Sequence, residues 1–169
     1  MKLNYKLENE ILNTEFEYDD YIAPILSFAN DNSKGHKYLE ISHADKDVVE
    51  FSFSANTCEL SKFKFVSCKD FIIEKSNLTL PNFEIGKIFI DSEKTGYETS
   101  ILNTDFFSTQ VFTNGLKILF SKKSPVKSIK NGNLIFSMDS ENCILALYLV
   151  NLSEKEINHT IEVLVSSKC

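Results

Sequence analysis

Histidine is the side-chain type that changes charge near neutral pH, so the three histidines are the first candidates for acid-base or metal chemistry. They are His36, His43 and His159. His43 begins the segment His-Ala-Asp-Lys-Asp, which combines imidazole and carboxylate ligand types. This segment separates two strand-like stretches, residues 38–42 and 48–54, where Asp favours the hydrogen bonds of a turn. We therefore predict a β-turn at His43 instead of a metal site, with His36 in a polar loop and His159 on a helix surface.

Catalytic serine-histidine or cysteine-histidine partners meet in space, so the sequence can show only their local markers. The chain has no G-x-S-x-G, P-loop, G-x-G-x-x-G or H-E-x-x-H pattern. Asp139 and Glu141 form a carboxylate pair of the kind used in acid-base catalysis, but they lie in a predicted turn. We predict no catalytic, cofactor or metal residues, and an enzyme whose site is scattered through the fold stays an alternative.

The four cysteines, Cys58, Cys68, Cys143 and Cys169, lack the C-x-x-C spacing of a zinc site and the density of a disulfide scaffold. Reduced thiols are therefore predicted. Cys143 opens an apolar run and is predicted to be a small core residue. Cys169 is the last residue of the sequence and is predicted to be exposed.

The basic residues are 18 Lys and no Arg, against 24 acidic residues, which gives a net charge of −6. Arginine is the preferred side chain for bidentate recognition of phosphate and guanine. Nucleic-acid binding also depends on a basic face that releases counterions. The composition therefore predicts no nucleic-acid partner.

The negative charge is concentrated near the N-terminus, where residues 1–60 contain 12 acidic side chains and 5 lysines. Within this part lies an acidic run without any basic residue, which also contains two tyrosines. It consists of Glu8, Glu10, Glu15, Glu17, Tyr18, Asp19, Asp20 and Tyr21. We predict that this run binds a partner protein; a solvated loop is the alternative, because charge runs are commonly only that.

Alternating apolar and polar residues predict a succession of half-buried strands. Fourteen Phe and six Tyr, with no Trp, favour sheet before any pattern is considered. The predicted strands lie around Leu3 to Leu7, Val49 to Phe53, Phe63 and Phe65, Phe71 to Ile73, Ile85 to Ile90, Leu116 to Phe120, Leu134 to Met138 and Ile144 to Val150.

Two turns are predicted in the C-terminal half of the chain. Asn131-Gly132 has the chemistry of a type I′ turn, between the strands at residues 116–120 and 134–138. The polar residues 139–142 predict a second turn, so that the last strands form a meander.

Ser153 and Glu156 have the spacing of a capping box at the start of a helix. Apolar residues then recur at helical spacing and predict a short amphipathic helix across the sheet; they are Ile157, Ile161, Leu164 and Val165. The segment from Tyr21 to Asn30 stays open between helix and strand, because Pro24 suits the first turn of a helix and also interrupts a central strand.

The predicted fold class is α+β and mainly β: an antiparallel sheet or sandwich-like meander closed by a short C-terminal amphipathic helix. We find no linker or repeat, and predict one domain over residues 1–169. The N-terminus alternates polar and apolar residues instead of forming a signal peptide, and the longest apolar run, residues 144–150, is too short to span a bilayer. We therefore predict a cytoplasmic protein without a membrane partner.

In its size, acidity, Lys- and Asn-rich composition and lack of catalytic motifs, the whole chain resembles the immunity proteins of bacterial polymorphic-toxin and contact-dependent growth-inhibition systems. The resemblance implies a cytoplasmic inhibitor that binds one cognate toxin stoichiometrically. A basic toxin, such as a nuclease, is the partner that the acidic run would suit. The alternatives are a β-domain that encloses a small apolar ligand and an enzyme with a scattered site.

Overall fold

The computed structural model describes residues 2–10, 12–22, 24–28, 35–44, 46–91 and 100–166. Over these ranges the chain forms fourteen β-strands and one α-helix. In chain order the strands are β1 (Asn4–Leu7), β2 (Thr14–Glu17), β3 (Ile25–Phe28), β4 (His36–His43), β5 (Asp47–Ser54), β6 (Leu60–Ser67), β7 (Phe71–Ile73), β8 (Glu84–Phe89), β9 (Ser100–Asn103), β10 (Ser108–Phe112), β11 (Gly115–Leu119), β12 (Lys127–Asn131), β13 (Leu134–Met138) and β14 (Ile144–Val150), and the helix α1 spans Glu154–Ser166.

The strands form two sheets. The eight-stranded sheet has the order β1-β8-β12-β13-β14-β11-β10-β7, and the six-stranded sheet has the order β2-β3-β6-β5-β4-β9. Most neighbouring strands are antiparallel, but β7 with β10, β8 with β12, and β4 with β9 are parallel pairs. The predicted fold class, mainly β with a C-terminal helix, is confirmed, and both sheets are mixed.

The inner faces of the two sheets share one aromatic core. Phe51 of β5 and Phe136 of β13 bring their rings to a centroid distance of 5.8 Å across the gap between the sheets. Both side chains are at most 1% exposed, as are Phe53, Phe63 and Phe65. Each such burial is worth roughly 2–3 kcal/mol of transfer free energy. Packing between the sheets therefore accounts for many of the Phe residues, without the enclosed apolar ligand considered above.

The predicted helix and its capping box are confirmed. The Ser153 backbone N–H donates to Glu156 Oε2 at 2.6 Å, and the Glu156 N–H donates to Ser153 Oγ at 3.3 Å. Ile157 and Leu164 are buried, and Ile161 packs partly buried against the core. Val165 is 52% exposed, however, so its predicted place on the apolar face is wrong.

The buried stripe of α1 turns toward Thr160 and Val163 instead of Val165. Thr160 lies three residues after Ile157, and Val163 lies three after Thr160, which keeps them on one helix face. Thr160 is accommodated because its hydroxyl donates to the Glu156 carbonyl at 2.8 Å.

The Asn131-Gly132 turn joins a different pair of strands from the one predicted. β13 pairs with β12, a strand that the sequence pattern did not predict, whereas β11 pairs with β14 and β10. The two loop residues are Gly132 and Asn133, since Asn131 lies opposite Leu134. Only Gly132 of this pair has a positive φ, +60°, which is the pattern of a type II′ turn instead of type I′.

The second predicted turn is confirmed, because β13 and β14 are antiparallel neighbours. Asp139 organises it: its Oδ1 accepts the Glu141 and Cys143 backbone N–H groups, both at 2.9 Å. These hydrogen bonds, that from Cys143 above all, lower the pKa of the Asp139 carboxyl. Cys143 is only partly buried, so its predicted place in the core is wrong.

The ambiguous N-terminal segment contains a strand, because Pro24 directly precedes β3. A proline at this point needs no N–H in the sheet, while its carbonyl still accepts the Phe65 N–H at 3.0 Å. Strand β2 lies inside the acidic run, where the sequence pattern predicted no strand. In the described ranges no helix has the length and apolar character needed to cross a membrane.

Candidate functional site

The acidic run is divided between the two sheets. Glu8 follows β1, where its N–H donates to the Ile85 carbonyl at 3.0 Å and its carboxylate pairs with Lys6 at 3.3 Å. Glu10 lies exposed in the connection that follows. Glu15 begins the part of the run that belongs to β2, an edge strand of the other sheet. The structure therefore leaves Glu8 and Glu10 apart from the second half of the run. It also divides that half: Glu15 lies opposite Ser27 on the outer face of the six-stranded sheet, whereas Tyr18 meets His159 of α1.

Glu17 on β2 is already paired. Its carboxylate accepts a hydrogen bond from Ser27 Oγ and pairs with Lys62 Nζ at 3.0 Å. The Ser27 hydrogen bond, followed by the Lys62 ammonium, lowers the pKa of the Glu17 carboxyl. Glu17 is thus held within its own sheet and offers little free charge to a partner.

Asp19 shapes the turn that follows β2. Its Oδ1 accepts the backbone N–H of Tyr21 at 2.8 Å and that of Ile22 at 3.0 Å. This Asx-type turn places Asp20 and Tyr21 at the surface, and the Tyr21 side chain is 83% exposed. Asp19 is therefore a positioning residue, while Asp20 and Tyr21 are presented to solvent.

Tyr18 meets the C-terminal helix. Its ring centroid lies 4.9 Å from that of Phe16 and 5.0 Å from that of His159, and Lys155 Nζ lies 4.6 Å from the ring centroid. Tyr18 and α1 line a pocket of about 470 Å³. Glu154 and Glu162 contribute carboxylates to the same pocket.

We call this surface the acidic corner, and it consists of Tyr18, Asp20, Tyr21, Glu154 and Glu162. Glu15 is not part of it, because it lies opposite Ser27 on the outer face of the six-stranded sheet. Sequence reasoning missed its two helical members. Their signal was the spacing of Glu154, Asn158 and Glu162, four residues apart on one helix face. Nothing in the sequence could show that this face would meet Tyr18, because that contact joins the two ends of the chain.

The acidic corner carries more negative than positive charge within the described part of the chain. Its three carboxylates, on Asp20, Glu154 and Glu162, all belong to exposed residues, and none has an ion pair there. Lys155 is the cation that lines the pocket, and it faces the Tyr18 ring. An excess of negative charge next to exposed tyrosines suits a cationic surface.

The histidines considered as catalytic or metal-binding candidates make contacts that support the fold. The predicted turn at His43 is confirmed by the hydrogen bond from the Lys46 N–H to the His43 carbonyl at 3.2 Å. The neighbouring Asp45 lies outside the described residues. His43 Nδ1 lies 2.7 Å from the Thr104 carbonyl oxygen. In the described ranges no group of three or more His, Cys, Asp or Glu side chains is placed to hold a metal ion.

His36 begins β4 instead of lying in a loop, and its Nδ1 is 3.3 Å from Ser61 Oγ. The Ser61 hydroxyl donates to the Ser52 carbonyl at 3.0 Å, so its single proton is not directed at His36. This geometry differs from that of a nucleophile and its base. His159 is partly buried and packs against Phe16 and Tyr18 instead of lying on the helix surface.

The described cysteines are free thiols. Cys58 and Cys68 are buried, and Cys169 lies outside the described residues. Burial raises the pKa of the Cys68 thiol to about 11. Since thiolates are the reactive form, Cys68 is unsuited to nucleophilic chemistry at neutral pH.

Neither the comparison with protein-family models nor the search of curated proteins finds a match for this chain.

Proposed function

We propose that this protein is a non-enzymatic, cytoplasmic inhibitor of the immunity type, which binds a basic protein toxin through the acidic corner. The observation that carries the proposal is the position of Lys155, whose ammonium lies 4.6 Å from the Tyr18 ring centroid in a pocket bordered by Glu154 and Glu162. The chain's own cation marks where a lysine or arginine of the partner would dock.

The corner combines the two contributions that a charged interface needs. Exposed carboxylates raise the association rate with a basic partner, because they attract it over distances of about 10 Å at moderate salt. Tyrosines supply amphipathic anchors that slow dissociation. Tyr21 is the most accessible anchor, because 83% of its surface is exposed and its turn is fixed by Asp19.

In this proposal inhibition is stoichiometric. The inhibitor covers the active site or a neighbouring surface of the toxin, and its carboxylates occupy positions that phosphates of a nucleic-acid substrate would take. A nuclease is therefore the toxin class that suits the corner best. The Arg-free, acidic composition supports the same assignment, since the protein itself is unsuited to compete for nucleic acid.

The first experiment is a pull-down from the native host at low salt, with a salt wash and mass spectrometry of the eluted proteins. A basic protein recovered in equimolar amount is the expected partner. Purified partner is then used for association kinetics at several salt concentrations. A partner without a basic surface, or one whose association is insensitive to salt, would contradict the proposal.

The matched variants separate the corner from the total charge. Asp20→Asn/Glu162→Gln removes two exposed carboxylates from the corner, whereas Glu84→Gln/Asp105→Asn removes two exposed carboxylates elsewhere. We expect the corner variant to associate about 10-fold more slowly at low salt, and the control to change far less. Equal slowing in both variants would show that only net charge matters.

Tyr21→Ala tests the anchor. Because the side chain is 83% exposed, its loss should leave the fold intact. We expect a dissociation rate about 30-fold higher, corresponding to a hot spot of roughly 2 kcal/mol. Tyr21→Phe should retain most of the affinity. Unchanged dissociation in Tyr21→Ala would remove Tyr21 from the interface.

A further inference from the structure

The outer face of the six-stranded sheet contains a pocket that the acidic corner does not use. Cross-strand register places Tyr38 of β4 opposite Ser52 of β5, Ser52 opposite Lys62 of β6, and Lys62 opposite Ser27 of β3. Residues directly opposite in an antiparallel pair point to the same face, so these four side chains form one row across the sheet. The row crosses a pocket of about 340 Å³.

We call this pocket the polar trough, and its lining includes His36, Tyr38, Ser52, Ser61, Lys62 and Lys64. Ser52 and Ser61 form its floor, since each is only 4% exposed and small. Tyr38 and Lys62 stand two strand spacings apart, roughly 10 Å, on either side of Ser52. The short serine side chain therefore leaves an open space between two longer ones.

The charges of the trough are paired in fixed positions. Lys62 Nζ lies 3.0 Å from Glu17 Oε1, and Lys64 Nζ lies 2.7 Å from Glu50 Oε1. All four side chains are less than half exposed. Two ammonium groups and two carboxylates cancel in net charge, yet each ammonium keeps N–H donors and each carboxylate keeps acceptor lone pairs.

This chemistry selects one class of ligand. An inorganic or phosphate anion would have to compete with Glu17 and Glu50 for the same lysines. An apolar ligand would exclude water from the remaining donors of the lysines and the remaining acceptors of the carboxylates without replacing those hydrogen bonds, which is costly. A neutral polyol satisfies donors and acceptors together, and the adjacent rings of His36 and Tyr38, 6.2 Å apart, offer a surface for its C–H groups.

We propose that the polar trough binds a single neutral sugar unit, seated over Ser52 between the Tyr38 ring and the paired Lys62. The volume is at the lower end of the range for small-ligand pockets, which limits the occupant to about one pyranose ring. This proposal is independent of toxin binding, because Tyr38, Ser52 and Lys62 lie outside the acidic corner.

The test is an amide ¹H–¹⁵N NMR titration of the full chain with four probes, D-glucose, D-galactose, D-mannose and N-acetylglucosamine, each up to roughly 50 mM. We expect at least one sugar to shift the amides of β4, β5 and β6 saturably, with a dissociation constant of about 1–10 mM. Absence of saturable shifts with all four sugars would overturn the proposal. Stronger shifts of the same amides with inorganic phosphate would also overturn it, in favour of an anion site.

Two substitutions at one position provide the matched control. Ser52→Leu fills the trough from its floor without changing any charge, whereas Ser52→Ala keeps it open. We expect at least a 10-fold weaker sugar affinity for Ser52→Leu and at most a 3-fold change for Ser52→Ala. Tyr38→Ala provides a second route, with Tyr38→Phe as its control, if Ser52→Leu fails to give a folded spectrum. Unchanged sugar affinity in folded Ser52→Leu or in Tyr38→Ala would refute the site.

Discussion

The eight-stranded sheet has an outer face covered by the chain itself, whereas the outer face of the six-stranded sheet carries paired charges and is not covered by any of the described residues. On the eight-stranded sheet, Ile135, Ala146 and Tyr148 form an apolar cluster on which Leu78 packs. Leu78 belongs to residues 74–83, which connect β7 at one edge to β8 near the other. This connection is fixed by the hydrogen bond from the Leu78 N–H to Asn114 Oδ1 at 2.8 Å.

The outer face of the six-stranded sheet differs because it is polar and not apolar. Its outer face presents Ser52, Lys62 and Lys64, whose polar groups need no covering segment. An apolar outer face has to be buried by the protein, while a polar face can be left for solvent or for a ligand. The difference indicates that the covered face serves stability and that the open face is available for binding.

The largest expected effect comes from breaking the covered face at Gly115. A Cβ at this position would lie against the Leu149 carbonyl oxygen and 2.9 Å from Leu78 Cδ2. Gly115→Ala should therefore lower the free energy of unfolding by about 3 kcal/mol, because backbone and covering segment must both shift. Chemical denaturation measures this change.

Gly35→Ala is the matched control for the glycine prediction. Among the described residues its Cβ would meet only Ala55 Cβ, at the ordinary contact distance of 3.6 Å. We expect a change smaller than about 1 kcal/mol. Similar losses in the two variants would show that the close approach at Gly115 does not hold the covered face.

The next effect concerns the covering segment itself. Leu78→Ala should destabilise the protein by about 2 kcal/mol, because the side chain is 8% exposed and packs on the apolar outer cluster. Leu80 in the same segment is 41% exposed, and Leu80→Ala should cost less than about 1 kcal/mol. Equal denaturation midpoints for the two variants would contradict the role assigned to Leu78.

Local patterns in the sequence predicted the elements that depend on local physics. The capping box at Ser153 fixed the start of α1, and the polar turn at Asp139 joined β13 to β14 as expected. Strand β12 was missed because Lys-Ser-Ile-Lys-Asn contains a single apolar residue. Ser128 of this strand can be buried because its hydroxyl forms a hydrogen bond with the Ser137 hydroxyl on β13, at an Oγ–Oγ distance of 2.6 Å. Strand order depends on such distant pairings, which no local pattern shows.

Local sequence patterns were equally insufficient to predict the candidate surfaces. The acidic run was visible in the sequence, but the structure pairs Glu17 with Lys62 and turns Asp19 toward its own backbone. The helix face with Glu154 and Glu162 joins the corner only through tertiary packing on Tyr18. The polar trough is formed by side chains that meet only through the register of four strands. The single polar residues within β5 and β6 therefore did not indicate a pocket in the sequence.

A smaller effect tests whether the open face is held by its paired charges. Lys64 and Glu50 are 28% and 24% exposed, while the pair formed by Lys2 and Glu141 is 65% and 69% exposed. A double-mutant cycle with Lys64→Met and Glu50→Gln should give a coupling free energy of about 1 kcal/mol. The same cycle for Lys2 and Glu141 should give a value near zero. Equal couplings would show that the open face is no more ordered than the rest of the surface.

The smallest effect is a pH dependence at the edge of the open face. The pKa of the Glu17 carboxyl is lowered from its ordinary value of 4.5 by the Ser27 hydroxyl and then by the Lys62 ammonium. A lowered pKa in the folded state means that ionised Glu17 stabilises the fold at pH values above 4.5, and that this contribution is lost as the pH falls through the lowered pKa. Because the Glu17 side chain is 43% exposed, solvent screening limits the contribution to about 0.5 kcal/mol. Glu17→Gln should therefore lose less stability than the wild type between about pH 5 and pH 3, as measured by urea denaturation. Glu15→Gln is the control, because Glu15 lies on the same strand but has no partner among the described residues. Its stability should follow the wild-type pH profile. If Glu15→Gln flattened the acid profile as much as Glu17→Gln, general charge repulsion instead of the Ser27 and Lys62 contacts would set the pH dependence of this edge.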